Sequence, residues 1–277
     1  MARATVGGIT LEYEDYGSGE PVVCIHGAFV ADAFRTLRSD PDLADRFRLI
    51  TYSRRGYAGS TGGGGPSTLA EQADDCRALL SHLGVRRAHV VGHSLGGAVA
   101  LALALREHRV VHSLTLLEAA LMIGDSSPLY RQGLADSLER YREVGAVIAV
   151  DEFLERRWPG YREPLDRALP GAFEQAVTDA ATFFDVDLPA VVDFRFGPGE
   201  ARRIAQPALV VLGEESSVLD ARFGESYRLL LEWLPDAEGF VLPRATHFLQ
   251  VENPRDLAEA LVGFLGRHPL GGHPAAA

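Results

Sequence analysis

Apolar and polar positions follow two different periods along the chain. Residues 9–16 alternate apolar and polar side chains, as a half-buried strand does, and the run Gly17-Ser18-Gly19 predicts a hairpin turn after them. Short apolar runs then predict buried strands at 22–25, 48–52, 89–91, 114–117, 208–212 and 239–242. Helical patterns separate several of these runs, at 68–83, 97–106 and 223–234. This alternation predicts an α/β fold with a mostly parallel central sheet flanked by helices.

The stretch 125–203 interrupts the alternation. It has no clear strand run, and prolines divide it into helical patterns at 129–150, 150–157, 165–182 and 189–194. We therefore expect a helical cap at 125–203, inserted in an α/β core of 1–124 and 204–270, and a disordered tail at 271–277. The insertion is rich in aromatic residues, which either cover an active site or form a small core of their own.

Composition limits the partners of the protein. With 47% hydrophobic residues, the 277-residue chain can bury a sizeable core. A net charge of −11 and the lack of any long basic run argue against nucleic acid or membrane partners. No stretch resembles a signal peptide or a membrane span, so we expect a cytoplasmic protein with a small-molecule partner. The sequence does not distinguish a monomer from a homodimer.

Residue usage also limits the chemistry. The sequence contains no lysine, which excludes Schiff-base formation and a lysine general base. Its two cysteines, Cys24 and Cys76, lie in apolar patterns and are predicted to be buried thiols. No cluster of His, Cys, Asp or Glu has metal-ligand spacing, so we expect no metal and no cofactor.

The strongest chemical signal is Gly92-His93-Ser94-Leu95-Gly96. It matches Gly-x-Ser-x-Gly between an apolar strand pattern and an Ala/Leu-rich helical pattern. Such a turn needs small neighbours, lifts the serine hydroxyl above the carboxyl edge of the sheet and places it at a helix N-terminus. We predict that Ser94 is a nucleophile.

A second motif follows the buried strand pattern at 22–25. His26-Gly27 ends that strand, and the backbone N–H of Ala28 comes next. This amide and that of Leu95 can together hold the oxyanion of a tetrahedral intermediate.

These motifs resemble those of the α/β-hydrolase superfamily, over most of the chain. The stretch 52–60 is similar to the family's Asp-x-Arg-Gly-x-Gly-x-Ser turn, with Ser53 and Ala58 departing from it. Ala245-Thr246-His247 stands where the family has Gly/Ala-x-His near its C-terminus. The resemblance implies that His247 is the general base, since an imidazole can exchange the serine proton near neutral pH.

The family's catalytic triad consists of a nucleophile, a histidine and an acid. At the position of the acid this sequence departs from the commonest family pattern. The family places an aspartate three residues after the glycine that ends the penultimate strand, and here that position holds Ser216. The best candidate acid is Glu118, which ends an earlier strand, as in a subset of the family that includes some haloalkane dehalogenases and zearalenone-type lactonases. An isolated charge at the end of a buried strand would be costly without a role. Glu214, Glu215 and Asp220 remain as alternatives.

A serine nucleophile with an oxyanion hole indicates acyl transfer. We therefore expect a serine esterase or lactonase acting on a substrate with a hydrophobic group, and we assign Phe29, Met122, Trp158 and Phe248 to its pocket. Three other functions remain open: carbon–carbon bond hydrolysis, lyase or cofactor-free oxygenase chemistry on the same triad; a receptor that turns over slowly; and a degenerate hydrolase that serves as a scaffold.

Overall fold

A computed structural model of the chain describes residues 1–62 and 65–271. Residues 272–277 of the predicted disordered tail lie outside this description. Within the described ranges, eight strands form one sheet in the order β1-β2-β4-β3-β5-β6-β7-β8. The strands are Ala2–Val6 (β1), Ile9–Tyr16 (β2), Glu20–Ile25 (β3), Phe47–Tyr52 (β4), Ala88–His93 (β5), Val111–Leu117 (β6), Ala208–Gly213 (β7) and Ala237–Leu242 (β8).

Helices cover the sheet and fill the connection between β6 and β7. They are Pro41–Arg46 (α1), Leu69–His82 (α2), Leu95–Arg106 (α3), Ser127–Glu155 (α4), Arg162–Ala168 (α5), Ala172–Thr178 (α6), Leu188–Asp193 (α7), Pro198–Ala201 (α8), Ser216–Leu219 (α9), Ala221–Trp233 (α10), Leu249–Glu252 (α11) and Pro254–Arg267 (α12). A 3₁₀ helix spans Ala33–Ser39 and a π-helix spans Thr182–Asp187. No helix in the described ranges has both the length and the apolar character needed to cross a membrane.

The predicted α/β fold is confirmed, because β3 to β8 are parallel and lie between helices. Alternate residues of β3 enter different core clusters: Val23 and Ile25 belong to one, Val22 and Cys24 to the other. Both faces of the sheet are therefore buried, which explains the continuous apolar runs. The two cysteines are buried and form no disulfide.

The N-terminal hairpin differs from the prediction. β2 pairs with β1 through a two-residue turn, Gly7-Gly8, in which both φ angles are positive (57° and 83°). Glycine adopts these angles without strain, and they suit the twist of a hairpin. Residues 17–19 instead connect β2 to β3 across β4, which lies between them in the sheet. β2 therefore pairs with β4 and not with β3.

The helical connection also has more breaks than its periodicity indicates. The pattern at 165–182 is divided between α5 and α6, because Pro170 follows the residue that ends the first helix. α4 is broken at Gly145, whose φ of 78° is not helical. The connection between β6 and β7 is therefore divided into several helical segments.

The strand order creates one natural place for a site. From β3 the chain runs to β4 on one side, while β5 and the following strands lie on the other. Loops leaving β3 and β5 thus diverge at their carboxyl ends, and a crevice opens between them. Ala28 follows β3 there, and Ser94 follows β5.

Candidate active site

Ser94 occupies a strained turn between β5 and α3. Its φ and ψ are 53° and −117°, a left-handed backbone that non-glycine residues rarely adopt. Close approach makes glycine necessary on both sides: a Cβ on Gly96 would overlap the carbonyl of Ile25, and one on Gly92 would overlap that of Gly96. The Ser94 side chain is consequently held at the start of α3, at the edge of the sheet and partly exposed.

His247 lies in the loop after β8. Its Nε2 is 3.0 Å from Ser94 Oγ, although 153 residues separate the two. Glu252 holds the loop by accepting hydrogen bonds from the amides of Thr246 and Phe248, both at 3.0 Å from its Oε2. His93 Nε2 lies 2.7 Å from the carbonyl oxygen of His247 and fixes the peptide from the other side. The imidazole is thus positioned before any substrate arrives.

Glu118 is the carboxylate that contacts the imidazole. Its Oε2 lies 2.6 Å from His247 Nδ1, and its Oε1 accepts a hydrogen bond from the Gly213 amide at 2.8 Å. The residue directly follows β6 and has a left-handed φ of 46°. Two hydrogen bonds tie its turn to the turn at Ser94: the Ser94 amide donates to the Leu117 carbonyl, and the Ala120 amide donates to the Ser94 carbonyl, each at 2.8 Å.

The alternative acids lie elsewhere. Glu214 and Glu215 are exposed, and the Glu214 carboxylate accepts a hydrogen bond from the Arg244 amide. Asp220 begins α10 and pairs with Arg222, with 2.9 Å between its Oδ2 and the arginine Nε. Ser216 is buried, and its hydroxyl lowers the pKa of Glu118. The structure therefore brings Glu118 to the imidazole and keeps the other three carboxylates away from it.

Burial dominates the electrostatics of the pair. It raises the pKa of Glu118 to about 8, against the opposing effects of the Ser216 hydroxyl, the Gly213 amide and Arg222. Burial also lowers the pKa of His247, and the charges of Arg222 and Arg157 lower it further. Because His247 Nδ1 and Glu118 Oε2 lie 2.6 Å apart, we expect the two side chains to titrate as a unit. A neutral imidazole, able to accept a proton at Nε2, is the favoured state of His247.

Ala28 and Leu95 line the same small cavity as Ser94. The turn before Ala28 is held by Arg54, which donates from Nη2 to the Gly27 carbonyl at 2.9 Å and from Nε to the His26 carbonyl at 3.1 Å. Arg54 is itself buried and paired with Asp187 of the π-helix, at 2.7 Å. This buried ion pair joins the loop after β4 to the helical connection, and the same arginine holds the loop after β3 through its two hydrogen bonds.

The cavity beside Ser94 measures about 20 Å³, room for about one water molecule. It adjoins a cavity of about 480 Å³, and the two share Tyr130, Leu134, Arg157 and Arg222 as lining residues. The small cavity at the serine thus adjoins a space large enough for most of a small-molecule ligand.

The residues assigned to the pocket from sequence do not line these two cavities. Phe29 packs against Phe183, with ring centres 4.5 Å apart, and Trp158 stacks on Phe248 at 5.7 Å. Met122 packs against the hydrophobic core. All four therefore belong to, or pack against, one hydrophobic core cluster.

Sequence reasoning did not find Arg157, Arg222 or Asp187. Arginines in helical patterns are ordinarily exposed, and nothing in the local sequence distinguishes these two. Asp187 could have been sought from the sequence, because an arginine such as Arg54 that is buried in the turn at 52–60 requires a carboxylate partner.

The chain is similar to known proteins over most of its length. The family model described as alpha/beta hydrolase fold matches residues 20–254. The dihydrolipoyllysine-residue acetyltransferase component of the acetoin cleaving system of Pseudomonas putida is 30% identical over 270 residues, which cover 96% of this chain and 69% of that protein.

Two further proteins are similar over nearly the whole chain. The 2-hydroxy-6-oxo-6-(2'-aminophenyl)hexa-2,4-dienoic acid hydrolase of Metapseudomonas resinovorans is 25% identical over 278 residues, 94% of this chain and 89% of that protein. The crystal structure of the enol-lactonase from Burkholderia xenovorans LB400 superimposes with a TM-score of 0.83 at 24% identity, over 96% of this chain and 100% of that one. At that identity, the superposition supports a common fold.

Proposed function

The chain belongs to the α/β-hydrolase family, and we propose that it hydrolyses carboxylic esters or lactones carrying a hydrophobic group, through an acyl-enzyme on Ser94. One observation carries the proposal: the unbroken contact chain from Ser94 Oγ through His247 to Glu118, at 3.0 and 2.6 Å, beside a cavity. This arrangement suits a nucleophile, its base and the group that orients the base.

The reaction proceeds in two halves. Ser94 Oγ attacks the carbonyl carbon while His247 Nε2 takes the hydroxyl proton, and Glu118 stabilises the imidazolium through Nδ1–H. The amides of Ala28 and Leu95 donate to the oxyanion. Collapse of the intermediate breaks the ester C–O bond, and the proton on Nε2 passes to the leaving alkoxide. Water then attacks the acyl-enzyme with the same base, which releases the acid and Ser94.

We assign residues 125–203 the role of a cap over this site. The segment supplies apolar walls to the cavity at Ser94: Tyr130, Leu134, Phe153, Phe183, Leu188 and Val191. Their apolar character favours a hydrophobic group next to the ester. The opposite wall comes from the core, with Ala28, Leu95 and Ala120.

A second candidate is the hydrolysis of a carbon–carbon bond next to a carbonyl. It is supported by the 25% identity to the dienoic acid hydrolase over most of both chains. The same serine and histidine serve this reaction, so the substrate and not the triad separates the two candidates.

The Ser94→Ala variant tests the mechanism. Removing the nucleophile should lower kcat by about 10⁴- to 10⁶-fold, because serine and histidine act as a unit. The measurement is steady-state hydrolysis of a panel of 4-nitrophenyl esters and lactones, with Ser81→Ala, on the exposed face of α2, as the control. Ester cleavage by Ser94→Ala at the wild-type rate would refute the assignment. A single burst without turnover in the wild type would indicate a receptor.

A further inference from the structure

Two guanidinium groups line the cavity that contains Ser94. Arg157 follows the end of α4, and Arg222 lies in the first turn of α10. Both also line the larger adjoining cavity. The His247 amide approaches the Arg157 carbonyl at 3.5 Å, which places this arginine next to the proposed base. Any substrate that extends from Ser94 into the larger cavity therefore passes both positive charges.

Arg157 has no carboxylate partner among the described residues. Its Nη1 donates to the carbonyl of Phe153 at 3.1 Å, and its Cζ lies 3.4 Å from the centre of the Phe153 ring. Burial, with Arg222 nearby, lowers the pKa of this guanidinium to about 9. A partly buried cation without a carboxylate partner is costly, so this arrangement favours an anion from outside the chain.

Arg222 is only partly satisfied. Its Nε donates to Asp220, and among the described residues neither Nη atom has a hydrogen-bond partner. The guanidinium is held between Tyr130 and Phe223, with its Cζ 3.9 and 4.0 Å from the two ring centres. The Asp220 carboxylate thus balances one of the two arginines, and a net positive charge remains in the cavity wall.

We propose that Arg157 and Arg222 form a subsite for a second, ionised carboxyl group of the substrate. The inference rests on the proposed function and narrows it: the substrate is an ester or lactone that also carries a free carboxylate on its hydrophobic body. A planar guanidinium matches a carboxylate with paired N–H donors, and the aromatic rings keep both groups in orientation. The apolar walls then bind the carbon skeleton between the carboxylate and the ester.

Matched esters test the subsite. The probes are mono-4-nitrophenyl adipate and suberate, which keep a carboxylate, and their methyl esters, which do not. We expect the wild type to prefer the acids by at least about tenfold in kcat/KM, the discrimination typical of hydrogen bonds to a charged group. Arg157→Met should lose about 10- to 100-fold on the acids and less than about threefold on the methyl esters. Arg157→Lys, which keeps the charge, should retain part of the preference.

Arg228→Gln is the matched control, because this exposed arginine of α10 pairs with Glu232 away from the cavity. The Arg228→Gln variant should have the wild-type kcat/KM on both the acids and the methyl esters. Equal losses on acids and methyl esters in Arg157→Met would mean a structural role for the arginine and would overturn the subsite, as would a wild-type preference for the methyl esters. Thermal unfolding of each variant shows whether it is folded.

Adipate and suberate binding to Ser94→Ala, measured by calorimetry, tests the subsite without hydrolysis. Adding Arg157→Met should weaken binding at least about tenfold. If no ester is turned over while this arginine-dependent binding persists, the proposed function fails and the subsite stands. If Ser94-dependent hydrolysis is found but neither diacid binds, or binding ignores Arg157, the subsite is wrong and the proposed function stands.

Discussion

The ends of β6 and β7 differ in one decisive respect. These neighbouring parallel strands are both followed by glutamate, yet only the residue after β6 contacts the imidazole. After β7, the amide of Glu214 donates to Leu242 and that of Glu215 to Ala245, which keeps both residues on the β8 side, with exposed side chains. β7 contributes instead a backbone donor, Gly213, and the following helix α9 contributes the buried hydroxyl of Ser216. In this protein only the end of β6 brings a carboxylate to the imidazole of His247.

The largest effect should come from removing the carboxylate after β6. Glu118→Gln leaves an amide that cannot stabilise the imidazolium, so kcat should fall by about 10³- to 10⁴-fold with little change in KM. Esterase kinetics measure this fall. Glu215→Gln, the matched change after β7, should stay within about threefold of the wild type, since surface substitutions have small effects. The reverse ranking of the two variants would move the acid to β7.

A transplanted acid should give an intermediate effect. In the double variant Glu118→Ala/Ser216→Asp, the new carboxylate replaces the buried hydroxyl that lowers the pKa of Glu118 in the wild type. We expect it to restore about 10- to 100-fold of the activity that Glu118→Ala loses, because any nearby carboxylate stabilises the imidazolium. kcat of the double variant against Glu118→Ala is the measurement.

Ser216→Asp alone serves as the control for the transplant. It would bury two carboxylates together, so its thermal stability should fall. A double variant no more active than Glu118→Ala would show that the end of β7 cannot reach the base.

The smallest effects should be shifts in pH dependence. Arg222 lowers the pKa of both Glu118 and His247, and Asp220 raises both. Arg222→Met should therefore raise both values, so that activity is lost at a higher pH than in the wild type as the solution is acidified. Asp220→Asn should move the same limb to lower pH.

kcat/KM for a neutral ester against pH measures these shifts, because a neutral probe avoids any effect on carboxylate binding. Glu215→Gln should leave the limb in place. If the acid limbs of Arg222→Met and Asp220→Asn moved in the same direction, the electrostatic account would be contradicted. Loss of all activity in Asp220→Asn would make Asp220 the acid.

Much of the fold could be read from the sequence because parallel strands are buried on both faces. Their apolar runs are continuous, so predicted strands at 48–52 and 208–212 fall within β4 and β7. The turn around Ser94 was also readable, since the steric demand for glycine is local. The strands that pair with β2 could not be predicted, because pairing depends on the path of the chain after residues 17–19.

The sequence by itself determined the fold class, the tight turn at Ser94 and the order of the candidate catalytic residues, because backbone sterics and burial act over a few neighbouring positions. Only the tertiary structure decided which carboxylate faces His247 and which arginines enter the cavity. Arg157 and Arg228 look alike in the sequence, and the strand end that made Glu118 the best candidate acid did not rule out Glu214, Glu215 or Asp220. Their roles arise from desolvation and from contacts with residues far away in the chain, which no local pattern encodes.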